Sequence, residues 1–216
     1  MQGTHAFSTD RRKRRRKVYF GIGAVGLLIT LYLGPTLAML TGIGDFASIS
    51  ISFTLCATTG YLVVSRWLWR VDALAGVLGS PPDLSGRWEG YLYTSSDEYN
   101  EDEVLAVDQL GYDLAKMEIT IRIDQTWDAI GVYLDGPESD SDSTGATFVL
   151  DADSDEAATL TYNYENDGDN LSDLEHHVGT TMLKYDPKSD TLEGTYYTGP
   201  NRENYGLIKV ERVKHS

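Results

Sequence analysis

Lys116-Met-Glu-Ile-Thr-Ile-Arg-Ile-Asp124 sets the fold class of this chain. Met117, Ile119, Ile121 and Ile123 fall on one side and the polar residues between them on the other. That period of two is what a strand with one buried face requires. The same signal continues on both sides of it. Gly86–Tyr93 precedes it, and Trp127–Leu134, Thr144–Leu150, Thr159–Tyr164, Val178–Tyr185, Leu192–Thr198 and Gly206–Val213 follow, which makes eight short strands.

The breaks between these strands hold Gly, Asp, Asn, Ser and Pro, as hairpin connections do, and no helical period of useful length separates them. Parallel crossovers are therefore not expected. The expectation is an all-β domain over 84–213, an eight-stranded antiparallel up-and-down β-barrel, with a sandwich of the same strands as the alternative. Glycines at 86, 90, 131, 179, 194 and 206 permit the sharp coiling that a small barrel needs.

Upstream, the pattern changes altogether. Arg11-Arg-Lys-Arg-Arg-Arg-Lys17 leads into Val18–Leu40, which carries no charge, and a second uncharged run covers Phe46–Ser65. A helix of 23 residues is about 35 Å long, enough for a hydrocarbon core of about 30 Å. A secretory signal has a shorter apolar core and no second span directly behind it. The chain is thus expected to begin with a basic tail over 1–17 and a two-helix transmembrane hairpin over 18–40 and 46–68. A linker over 69–83 follows, closed by Pro81-Pro82. Basic residues flank both outer ends of the hairpin while its loop carries only Asp45, so tail and β-domain are both expected in the cytoplasm. This makes a multi-pass protein of the inner membrane. Along the second span Ser48, Ser52, Cys56 and Gly60 recur every four residues. That face of small side chains suits either further oligomerisation or packing within the hairpin itself.

The net charge of −15 is divided unevenly. Residues 1–70 contribute +7 and residues 71–216 contribute −22. An acidic domain of this kind has no surface for duplex DNA or RNA, which needs Lys and Arg to displace counterions. Carboxylates in such number suit a protein that works in molar salt, where the Debye length is about 3 Å, and point to a halophilic archaeon. Cys56 is the sole cysteine, so no internal disulfide forms.

Motifs for catalysis and metal binding are missing. No phosphate loop, nucleophile elbow or His-Glu-x-x-His run occurs, so no enzyme is expected. Asp151, Asp153 and Asp155 begin like a calcium loop, but Glu156 and Tyr162 stand where Gly and Glu are needed. His176-His177 are neighbours that point to opposite faces of a strand and share no metal. No cofactor is expected. The polar and aromatic residues at strand ends are more informative: Gln125 with Trp127, the alternating Ser139, Ser141 and Ser143, Tyr162-Asn163-Tyr164, and Tyr197-Thr198 ahead of Arg202. Aromatic faces stack bases, hydroxyls and amides read their edges, and arginine forks onto phosphate.

Taken in order, Gly86-Arg-Trp-Glu-Gly90, Ile123-Asp-Gln-Thr-Trp127, the serine alternation, Leu160-Thr-Tyr-Asn-Tyr164, His177-Val-Gly-Thr180 and Leu192-Glu-Gly-Thr-Tyr-Tyr-Thr198 follow two apolar spans. This arrangement resembles the membrane effectors associated with CD-NTases in CBASS antiphage defence, the two-transmembrane, β-strand-rich group with a lipocalin-like barrel. The resemblance implies a receptor for a cyclic dinucleotide made by a partner CD-NTase. Ligand binding would drive self-association in the lipid bilayer, membrane disruption and abortive infection. It also places the ligand at the open end of the barrel. The chemistry of the strand-end residues then nominates Trp127, Tyr162, Tyr164 and Tyr197 for stacking. Gln125, Ser141, Ser143, Asn163 and Thr198 are nominated for hydrogen bonds, and Arg202 or Arg122 for phosphate. The alternative is a membrane-tethered lipocalin-like binder of a small apolar ligand, for which the Met117–Ile123 face is equally suited.

Overall fold

The computed structural model describes residues 4–9, 11–42, 45–95, 104–107, 113–137, 140–150, 158–166, 177–199 and 204–213. They form two compact units, one of residues 11–80 and one of residues 1–10 with 81–216.

The first unit is helical. α1 spans Arg12–Thr41 and α2 spans Asp45–Arg66, followed by a 3-10 turn, Leu68–Arg70, and α3, Asp72–Leu78. The linker expected over 69–83 is therefore largely helical up to Gly79, whose φ of +62° ends α3. Nor is the basic run a separate tail. Arg12–Lys17 form the first turns of α1, as good helix formers continuous with an apolar run do. Among the described residues one helix segment, Arg12–Leu40, is long and apolar enough to cross a membrane. Its Phe20, Tyr32, Met39 and Leu40 are exposed. α1 and α2 pack closely through small residues: a side chain at Gly26 would press on Ala57, and one at Gly60 would come within 3.3 Å of Ile22. Gly60 thus faces α1 of its own chain. Ser52 is buried, Cys56 is half-buried, and the side chain of Ser48 lies outside the described residues.

Among the described residues the second unit holds ten strands where the pattern predicts eight. β1 is His5–Thr9, β2 Gly86–Thr94, β3 Val104–Val107, β4 Asp113–Gln125 and β5 Ala129–Asp135. β6 is Asp140–Leu150, β7 Ala158–Asn166, β8 His177–Asp186, β9 Thr191–Thr198 and β10 Tyr205–Arg212. From β4 to β10 each strand pairs antiparallel with the next, β10 pairs with β2, β2 with β4, and the β4–β5 ladder returns the sequence to its start. Eight strands therefore pair in a ring. The two additional strands lie outside that sequence: β3 pairs with β4, and β1 pairs antiparallel with β5 and parallel with β6. β1 escapes a reading based on hairpins because its partners lie more than 120 residues away.

Inside the ring, Ile121, Ile123, Ile130, Phe148, Leu160, Leu183 and Leu192 are almost wholly buried. Burying one such side chain contributes about 1.5–3 kcal/mol. Inward glycines let the strands coil. A Cβ on Gly194 would run into the Met182 carbonyl, and one on Gly206 into that of Tyr93.

One end of the ring is plugged by Leu84, Trp88 and Trp127, each 0% exposed. Here the incoming segment 82–85 is clamped from two sides. Gln125 accepts the Leu84 N–H at 2.9 Å and donates to the Pro82 carbonyl at 3.1 Å. Arg212 lies over the Trp88 ring at 4.2 Å, donates to the Asp83 and Ser85 carbonyls, and grips both oxygens of Asp190 at 3.0 and 3.1 Å. The Trp88 indole N–H donates to the Leu84 carbonyl at 2.9 Å.

Two outcomes are expected for stability. Gln125→Ala leaves a buried N–H and a carbonyl unpaired and lowers stability by about 2 kcal/mol, read from the urea midpoint. Gly194→Ala forces a strand outward and costs about 1–3 kcal/mol in the same measurement. A midpoint unchanged by either substitution would contradict the described packing.

Candidate functional site

At the end of the ring opposite this plug the interior opens into a cavity. Its floor and one wall are apolar, from Leu92, Met117, Ile119, Leu134 and Ile208. The facing wall is aromatic and polar: Tyr162, Tyr164 and Asn166 on β7, His177 and Thr181 on β8, and Tyr196 and Thr198 on β9. Thr94, Gly136, Pro137, Ser141 and Asn204 complete the lining. An apolar pocket with a few convergent polar groups is the usual form of a small-molecule site.

Strand parity decides which residues reach it. On β7 the inward positions are Leu160, Tyr162, Tyr164 and Asn166, and their partners on β8 are Leu183, Thr181, Gly179 and His177. Tyr164 has room for its ring because its partner is Gly179, where any Cβ would meet the phenol. His177 meets the Tyr164 ring edge-on at 6.3 Å. The Tyr162 hydroxyl is fully buried and hydrogen-bonded to Thr181, and burial pushes it up to about 12. It stays a neutral phenol at any physiological pH. No Lys, Arg, Asp or Glu lines the cavity among the described residues. What the walls present is ring faces, hydroxyls, amides and one imidazole.

Of the residues nominated from sequence, Ser141, Tyr162, Tyr164 and Thr198 are brought together here. The Thr198 hydroxyl is also occupied locally, accepting the Asn204 N–H at 2.8 Å and donating to its carbonyl at 3.1 Å. The other nominations lie elsewhere or outside the described residues. Asn163 and Tyr197 have outward parity: Asn163 accepts a hydrogen bond from Thr180 at 2.8 Å, and Tyr197 is 53% exposed. Arg122 lies between inward Ile121 and Ile123 and so points out, over the Tyr133 ring at 4.4 Å and toward Asp124. Trp127 and Gln125 belong to the plugged end. Ser143 is buried, where its hydroxyl oxygen accepts the Val132 N–H at 2.8 Å. Arg202 and Ser139 lie outside the described residues, although Thr198 and Asn204 on either side of the Arg202 segment reach the mouth.

Asn166, His177, Thr181 and Tyr196 were missed, and the signal for them was the alternation itself. Once Tyr162 and Tyr164 are inward, Asn166 must be inward and Asn163 cannot be. On β9 the same rule selects Tyr196 over Tyr197.

Residues 80–212 match the family model described as Cap15, cyclic dinucleotide receptor domain. The chain is 29% identical over 170 residues to CD-NTase-associated protein 15 of Yersinia aleksiciae, covering 76% of this chain and 73% of that protein. With more than half its length matched and its interior cavity lying inside the matched span, this chain belongs to the Cap15 cyclic dinucleotide receptor family.

Proposed function

We propose that the chain is a membrane-anchored effector of a CBASS antiphage system, and not an enzyme. In this reading the ring of strands is a lipocalin-like barrel whose open end receives a cyclic dinucleotide made by a CD-NTase. α1 and α2 cross the inner membrane as a hairpin, with the barrel in the cytoplasm. Ligand binding drives self-association, loss of membrane integrity and abortive infection. The observation that carries the reading is the aromatic and neutral polar cavity inside a domain matched to a cyclic dinucleotide receptor. Tyr164 and Tyr196 supply faces for base stacking, and Asn166, His177 and Ser141 supply edges for hydrogen bonding. The acidic surface suits a solution of molar salt, where an anionic ligand approaches a screened protein.

Support for the hairpin is the length and composition of α1 with its exposed apolar side chains. The basic residues at the start of α1 and Arg66 and Arg70 after α2 favour the cytoplasmic side for both ends. A second reading, a binder of a small apolar ligand, is favoured by Leu92, Met117, Ile119 and Ile208 in the same cavity.

The deciding experiment is calorimetric titration of the full chain in detergent micelles with cyclic di- and trinucleotides in molar potassium chloride. Micromolar or tighter binding of one cyclic dinucleotide is expected. Tyr164→Ala should weaken it by about 1–3 kcal/mol, the worth of one base–aromatic stack. Silence across the panel from folded protein, with lipid or pigment co-purifying, would transfer the cavity to the apolar-ligand reading. An unchanged oligomer size on ligand addition would overturn the assembly mechanism.

A further inference from the structure

The ring has one short seam. β5 and β6 share three residue pairs, Tyr133↔Asp142, Leu134↔Ser141 and Asp135↔Asp140, all near the open end. β4 and β5 share six and β7 and β8 share nine. Beyond the seam β5 and β6 no longer pair with each other, and β1 lies between them. His5 and Ala6 pair with Ile130 and Ala129, while Phe7, Ser8 and Thr9 pair with Ala146, Thr147 and Phe148. The fit is specific. Phe7 is 5% exposed and meets the Phe148 ring edge-on at 4.8 Å. His5 Nε2 lies 2.8 Å from the Ser143 hydroxyl, the same oxygen that accepts the Val132 N–H, and the Ser8 and Thr147 hydroxyls are 2.7 Å apart. The family match begins at residue 80 and does not include this strand.

We propose that the gap between β5 and β6 is a strand-acceptor site, that its occupant is residues 5–9 of this chain, and that its occupation sets the affinity of the cavity for ligand. The main-chain pairing of an added strand supplies affinity, and the pocket for Phe7 supplies register. The link to the cavity is β6 itself. Ser141 lines the cavity, and Ser143, two residues along, holds His5. On β5, Leu134 lines the cavity and Val132 donates to Ser143. With the gap empty, β5 and β6 would carry facing unpaired edges, and three residue pairs, Leu134↔Ser141 among them, would be all that joins the two strands at the cavity wall. Coupling between the two sites is reciprocal, so ligand in the cavity favours the docked strand. The coupling rests on the receptor reading above; the acceptor site does not.

The test uses full-length chain in detergent micelles and a variant lacking residues 2–9. A labelled peptide of residues 4–10 should bind the deletion variant saturably by fluorescence anisotropy, and a Phe7→Asp peptide at least tenfold more weakly. No saturable binding to a deletion variant with the far-UV spectrum of the intact chain overturns the acceptor site. If the deletion variant does not fold, the intact chain carrying Ser8→Cys, Thr147→Cys and Cys56→Ser decides instead. Its new cysteines should form a disulfide on mild oxidation, and failure to cross-link overturns the site. For the coupling, deletion should lower cyclic dinucleotide affinity about tenfold and the peptide should restore it, while equal affinity with and without the strand overturns that part. Peptide docking in a protein whose intact form binds no cyclic dinucleotide would sink the receptor reading and the coupling, and leave the acceptor site standing.

Discussion

Everything in the β unit depends on the ladder between β4 and β5, six residue pairs from Thr120↔Asp135 to Gln125↔Ile130. Without it the remaining pairings describe an open sheet that ends at β1 beside β5 and at β3 beside β4. Such a sheet would bury its apolar face only against another layer. With it the sheet becomes its own second layer. Ile121 and Ile123 on β4 then pack with Phe148, Leu160, Leu183 and Leu192 in one shared core. The interior follows from the closure, and the interior differs at its two ends. At the Gln125 end large side chains fill it. At the other end the register brings together tyrosines, an imidazole and short polar groups that leave space.

Charge is distributed to match. The domain is strongly acidic, yet its described cavity lining holds no Lys, Arg, Asp or Glu. Several cations on its strands face outward beside carboxylates: Arg87 with Glu89, Arg122 with Asp124, and Lys209 with Glu193. These pairs are more than half exposed and contribute little to stability. Arg212 is the exception, half-buried against Trp88 and Asp190, and it is committed to the incoming chain rather than to a ligand. The described lining therefore offers ring faces, hydroxyls, amides and an imidazole rather than charged side chains of Lys, Arg, Asp or Glu.

Much of this architecture is legible in the sequence because alternation is a strong local signal. The eight ring strands can be read from period two, with ends displaced by a few residues, as at β6, which begins at Asp140 rather than Thr144. The site was only half legible, and for a definite reason. Tyr162-Asn163-Tyr164 and Tyr197-Thr198 read as clusters along the chain, but adjacent strand residues face opposite ways, so each cluster is divided between cavity and solvent. Gln125, Trp127 and Ser143 have inward or buried positions at the wrong height, which composition does not reveal. β1 was illegible altogether. Five residues beside a basic run carry no hairpin signal, and what makes them a strand is a gap created by residues 129–148.

The two places where the chain enters and leaves the β unit are held very differently. At 82–85 the backbone is fixed by Gln125, Arg212 and Trp88 through five hydrogen bonds to main-chain atoms, around side chains with no exposure. At β1 the hold is a five-residue strand with one large apolar anchor, Phe7, and part of its side-chain bonding is to exposed hydroxyls. Opening free energy is not uniform across a fold, and short elements with few buried contacts open first. Of the two attachments, β1 is therefore the one able to respond to a modest change in the ring. Its last residue, Thr9, is three positions from the first residue of α1. On the proposed reading, a ligand that firms the seam beside Ser141 acts on the weaker attachment, while the clamp at 82–85 stays fixed.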